Sequence, residues 1–238
     1  MNVKKLNTLM TIAALAITPS FGSLITVAEW NFNNFGSTTT ILGGTGTTID
    51  ADVGDGLFFI VDGPTTGTNF QQNTGGGTEV NASDSTPAGG SIDFRRGERW
   101  DEKVFDYRVD TTGLTDIDFS FAMRMTSSAP DSISVAWTTD EGATLNPLQT
   151  IAQPVNELDE TLGFGWTAFS FDLSGETAVN NQENLWFRFT FSEGGGAASG
   201  GTGMVMDNVI VTGVIPEPGT LVLLGIALGS LILFRRRR

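Results

Sequence analysis

Between residues 24 and 213, apolar and polar side chains alternate with a period of two in short runs, and clusters of Gly, Asp, Asn and Pro separate the runs. The runs fall at 25–32, 56–61, 91–95, 103–109, 116–125, 132–138, 148–152, 166–173, 185–191 and 204–212. Successive side chains of a strand point to opposite faces. In LWFRFTF, Leu185, Phe187, Phe189 and Phe191 therefore share an apolar face, while Trp186, Arg188 and Thr190 share a wetter one. About ten strands without a long amphipathic helix predict an all-β domain, an antiparallel two-sheet β-sandwich of jelly-roll type. Seventeen phenylalanines, many threonines and 30 glycines suit strands joined by turns.

The pattern changes at both ends. Lys4 and Lys5 precede an apolar stretch at 6–17, and Pro19, Ser20 and Gly22 supply a breaker and small residues. That order predicts a signal peptide over 1–23, cut after Gly22 or Ser23. A cut after Ala28 also satisfies the small-residue rule, but it would remove the start of the first strand. At the other end TLVLLGIALGSLILF, residues 220–234, carries no charge, and Arg235, Arg236, Arg237 and Arg238 follow it. As a transmembrane helix rising 1.5 Å per residue it would reach about 22 Å, short of a hydrocarbon core of about 30 Å. The arginines predict a cytoplasmic end and an exported body. Pro216 and Pro218 keep the preceding residues extended, which predicts an accessible tether between body and helix.

Pro-Glu-Pro at Pro216, Glu217 and Pro218, an apolar helix and a basic cluster, in that order at the chain end, resemble the PEP-CTERM sorting domain over 214–238. The resemblance implies processing by an exosortase, a membrane-embedded cysteine transpeptidase-like enzyme that removes the C-terminal helix. It also implies a passage through the inner membrane of a Gram-negative bacterium, then release to a cell surface or matrix rich in exopolysaccharide. The expected domains are thus 1–23, an ectodomain over 24–213, and the sorting segment over 214–238.

From Leu24 to Ile215 seven basic residues face 26 acidic ones, a net charge of minus 19. Such a surface repels nucleic acid and attracts cations. The chain has neither cysteine nor histidine, which excludes thiol nucleophiles, Ser-His-Asp triads and Cys/His metal centres. Its glycine-rich stretches lack the lysine of a phosphate-binding loop, so a nucleotide site is not expected.

Asp50, Asp52 and Asp55 stand close together in a glycine-bearing turn, a set of oxygens suited to a hard cation such as Ca²⁺, although the spacing is not that of an EF-hand. A solvated acidic turn explains the same residues. The stretch 95–103 carries four basic and three acidic residues, the composition of a solvated loop. Its functional alternative is a sugar platform in which Trp100 stacks on the ring and Arg96 and Arg99 grip carboxylates. Trp137, Trp166 and Trp186 are further candidates, or core residues.

The Asp140-Glu141-Gly142 turn and the closing Asp207-Asn208-Val209 strand resemble features of lectin-like and carbohydrate-binding-module-like sandwiches. That second resemblance implies a structural calcium near the first and last strands, with Asp207 as a ligand; an Asp at a strand bend is the plain alternative. The reading that follows is a non-enzymatic surface or matrix protein that binds exopolysaccharide or calcium. A carboxylate-dependent polysaccharide hydrolase or lyase, and a biofilm scaffold or adhesin without a small ligand, remain alternatives. With 27 acidic residues a carboxylate pair is always available, and nothing in the sequence selects one.

Overall fold

The computed structural model describes residues 22–33, 44–63, 70–74, 77–83, 89–95, 102–125, 129–152, 165–192 and 202–217. The chain divides into a compact unit, Ser23–Pro216, and a unit of its two ends, Met1–Gly22 with Glu217–Arg238. Of the second unit only Gly22 and Glu217 fall among the described residues. The expected signal peptide and the apolar segment at 220–234 therefore lie outside them. Among the described residues no helix is long and apolar enough to cross a membrane.

Thirteen strands form the compact unit: β1 (Ser23–Trp30), β2 (Thr48–Asp50), β3 (Val53–Gly54), β4 (Gly56–Asp62), β5 (Phe70–Thr74), β6 (Gly90–Arg95), β7 (Val104–Val109), β8 (Thr115–Met125), β9 (Ser132–Thr138), β10 (Asn146–Ala152), β11 (Thr167–Asp172), β12 (Leu185–Phe191) and β13 (Thr202–Ile215). Among the described residues a single 3-10 turn, Thr177–Val179, precedes β12. One sheet has seven strands in the order β11-β8-β13-β1-β3, with β6 also on β13 and β5 on β6; the other has six, β10-β9-β12-β7-β4-β2. Pairing is antiparallel within both sheets. The unit is thus an all-β, two-sheet sandwich.

The faces follow the alternation in the sequence. Leu185, Phe187, Phe189 and Phe191 of β12 are buried against the seven-stranded sheet, where Phe187 stacks on Phe119 of β8 with centroids 3.9 Å apart. Phe105 of β7 stacks on Phe94 of β6 at 4.9 Å, and Trp30 of β1 meets Tyr107 edge-on at 4.9 Å. Large aromatic side chains from both sheets thus interdigitate, which fills a core at high density and favours offset or edge contacts.

Three strands escaped the reading of the sequence. β3 lies within the segment 50–56 expected to be an acidic turn, β2 ends at its first residue, and β5 is FQQNT. All three are short and carry little alternation, and each is held by a neighbour, β2 on β4, β3 on β1 and β5 on β6. β13 is also longer than expected. Its N-terminal part pairs with β6, and its C-terminal part pairs with β1 on the same edge, while β8 runs along the other edge.

Candidate functional site

Where β6 gives way to β1 along β13, the ladder breaks. The pairing to β8 shifts register between Asp207 and Ile210, and Asn208 takes φ 47°, a left-handed conformation that Asn tolerates better than most residues. The bulge turns backbone and side-chain groups toward the segment 77–83. Asn208 Nδ2 donates to the carbonyls of Thr78 (2.6 Å) and Val80 (2.9 Å), and Asn81 Nδ2 donates to the Asn208 carbonyl at 2.7 Å. The Asp207 carboxylate accepts the Thr78 N–H at 2.7 Å and the Asn208 N–H at 2.8 Å.

Two further carboxylates stand near Asp207. Glu29 of β1 is 2% exposed; its Oε2 accepts the Ser83 hydroxyl at 2.6 Å, and its Oε1 is buried without a hydrogen-bond partner. Asp52 accepts the N–H groups of Asn31 and Phe32 at 2.9 and 2.8 Å, closing the end of β1. Burial, with the charges of Asp52 and Glu29 beside it, pushes Asp207 up to about 8 against the pull of its two backbone donors. Tyr107 is raised well above its usual value, first by burial and then by Asp207, and its hydroxyl has no partner. The end of β1 is therefore crowded with acidic groups, and Asp207 holds its proton there.

A second feature lies on the outer face of the six-stranded sheet. Trp186 and Arg188 of β12 sit directly opposite Arg108 and Asp106 of β7. Arg188 Nε and Nη2 grip the two Asp106 oxygens at 2.7 and 3.0 Å, and Arg108 Nη2 adds a third bond at 3.1 Å. The Arg108 guanidinium lies 3.9 Å from both the Phe59 and the Trp186 ring centroids, a cation sandwiched by two π-faces. Asp106 is wholly buried, so its two arginine partners are what make its burial tolerable.

Beside this stack opens a depression of about 400 Å³. Leu57, Arg108, Val109 and Trp186 contribute to its lining, and Asp50, Asp55, Asp110, Glu183 and Asn184 bring polar groups to it.

The three aspartates that looked like one cation loop thus go to different places: Asp52 to the end of β1, Asp50 and Asp55 to the depression. Among the described residues no three acidic side chains are grouped closely enough to hold a metal ion by themselves. Asp207 lies on the last strand as expected. Trp137 is core, and Trp166 is half-buried beneath Arg124 at 5.2 Å. Arg96, Arg99 and Trp100 lie outside the described residues, as do Pro218 and Arg235 to Arg238. Pro216 and Glu217 are exposed and follow directly on β13, whose last paired residue, Ile215, faces Ser23. Glu29 and the Asp106 network were not singled out in the sequence; Glu29 sits where strand alternation alone suggests an ordinary surface residue.

In overall fold the chain is similar to the K1 cleaved adhesin domain of Lys-gingipain from Porphyromonas gingivalis W83, at 12% identity and a TM-score of 0.42, covering 80% of this chain and 98% of that one. It is similar to a carbohydrate-binding module of lichenase 5A from Cellvibrio mixtus, at 13% identity and a TM-score of 0.33, over 60% and 86% of the two chains. A third neighbour is a family 35 module from Paenibacillus barcinonensis, at 14% identity and 0.34, over 70% and 98%. These likenesses are distant. No curated protein matches the chain in sequence. The tail is another matter: residues 214–238 match the PEP-CTERM protein-sorting motif, which marks an exported protein sorted to the cell surface by an exosortase.

Proposed function

We propose that this is a non-enzymatic surface or matrix protein whose sandwich holds extracellular polysaccharide in the depression on its six-stranded sheet. In this reading residues 1–23 are removed on export, the chain passes through the inner membrane of a Gram-negative bacterium, and an exosortase cuts within 214–238. The register of β1 favours a cut after Gly22 or Ser23, because a cut after Ala28 would remove five of the seven β1 residues paired with β13.

One observation carries the sugar reading. A floor of Leu57 and Arg108 with the edge of the largely buried Trp186, locked by Asp106 and Arg188, lies beside planar carboxylate and amide groups on exposed chain segments. Binding sites of this kind join an apolar surface to a few fixed polar groups. Sugar rings present an apolar face and a rim of hydroxyls, which matches both. The test is a glycan array probed with the exported protein, with and without calcium. Binding that Asn184→Ala weakens, and that Asp116→Ala on the opposite sheet leaves alone, is the expected result; silence on the whole array favours the scaffold reading.

The end of β1 supports a second ligand. Glu29 Oε1 is buried without a donor at the end of β1, within electrostatic reach of Asp207, and a Ca²⁺ ion would satisfy that oxygen and displace the Asp207 proton. Backbone carbonyls and water would complete its shell. Calcium added to the chelated protein should then raise its thermal midpoint, and Glu29→Gln should remove the response.

A further inference from the structure

We infer that the depression selects polysaccharide carrying free amines over uncharged, N-acetylated or uronate chains; this rests on the sugar-binding reading of the same depression. Asp50, Asp55, Asp110 and Glu183 all line it and all are exposed, so each presents a carboxylate to an incoming chain. Among the described lining residues the one cation, Arg108, bonds Asp106 and lies between Phe59 and Trp186, with its Nε buried. The described lining residues therefore carry a net charge of minus 3. An acidic sugar would meet repulsion from four carboxylates, and among the described lining residues the one guanidinium already faces Asp106.

The carboxylates are also arranged for a chain rather than an ion. They come from the end of β2, the turn before β4, the end of β7 and the approach to β12. No three of them form a metal-ligating group. Charges spread around a flat floor suit a ligand whose own charges repeat along its length, as amines do on a deacetylated hexosamine polymer. An ammonium offers three donors and no acceptor, and its bonds to carboxylates are shorter and roughly twice as strong as neutral ones. The ring faces of the same sugars lie on the Trp186 and Leu57 side of the depression.

The experiment is a calorimetric titration of the exported protein with three probes: an oligomer of glucosamine, the same oligomer fully N-acetylated, and an oligomer of galacturonate. At low salt the amine oligomer should bind at least about tenfold more tightly than the acetylated one, since several partly screened pairs contribute. The gap should close at about 0.3 M NaCl, where the screening length is only several ångströms. Asp110→Asn with Glu183→Gln should shrink the gap at low salt; both residues are exposed and their substitution leaves the core intact. Acetylated or uronate oligomer binding as tightly as the amine, in a manner sensitive to Asn184→Ala, overturns the amine selection and leaves the sugar site standing. No binding by any probe, or binding indifferent to Asn184→Ala, overturns both.

Discussion

Asp207 gives the sharpest quantitative expectation. Its carboxyl moves from an ordinary value of 3.8 to about 8 on folding. A carboxyl raised in the fold prefers its proton there, so folding is most favoured below the unfolded value and loses stability as pH rises through the folded one. Each pH unit of difference corresponds to 1.36 kcal/mol, so the full loss approaches about 6 kcal/mol, an upper bound that bound cations reduce. That is a large part of the 5–15 kcal/mol typical of a whole domain. The groups facing Asp207 are Glu29, Asp52 and Tyr107, together with the Thr78 and Asn208 amides.

Asp207→Asn keeps the shape and removes the titration. It replaces one of two acceptors by an amide, so it should lose about 1–3 kcal/mol at pH 5, where the native carboxyl is still largely protonated. Urea unfolding followed by tryptophan fluorescence, in chelator from pH 5 to 9, should then give two lines that cross, the native protein falling and Asp207→Asn nearly level. Asp118 is also raised, by burial and then by Asp172 and Asp116, so Asp118→Asn is the control and should leave most of the slope in place. Asp140, held at about 2, and Asp172, held low by Ser174, titrate below the window. Excess calcium should level the native line by favouring the ionised form. Parallel lines for native protein and Asp207→Asn would refute the reasoning.

Other outcomes follow from the same geometry. Arg188→Met strips Asp106 of its two-pronged partner and should cost about 3–5 kcal/mol in urea unfolding, whereas replacing both Asp106 and Arg188 by apolar residues should recover much of the loss. Phe119→Ala removes the ring stacked on Phe187 and should cost about 3–5 kcal/mol by the same measurement. Gly90→Ala should prevent folding or sharply lower the thermal midpoint, because a Cβ there would run into the Phe32 carbonyl oxygen. Mass spectrometry of protein recovered outside the native host should find both termini missing; an intact Arg238 on that material would end the sorting account.

The strands that alternate strongly were legible, and 185–191 and 132–138 fall where β12 and β9 do. Their periodicity is a local property, set by the burial of one face. β2, β3 and β5 were not legible, since TID, VG and FQQNT carry little pattern of their own and exist because a neighbour offers an edge. The sites divide in the same way. Asp207 stood out because a short motif surrounds it, while Glu29 became notable only when the β13 bulge and Ser83 enclosed it. Asp50, Asp52 and Asp55 looked like one loop because they are close in sequence. The turn that clips Asp52 N–H to the Glu29 carbonyl and Asp55 N–H to the Val27 carbonyl sends their side chains to separate surroundings.

β13 is the strand from which the sorting segment leaves, and it is held along both edges, by β8 on one side and by β6 and β1 on the other. A pull at Pro216 directed along the strand would load these ladders in shear, so the hydrogen bonds of neighbouring pairs would resist together. A strand at a sheet margin, pulled sideways, would open one pair at a time. A load entering along that axis is shared from the start between two ladders, since Ile215 pairs with Ser23 on one edge and Val214 with Thr115 on the other.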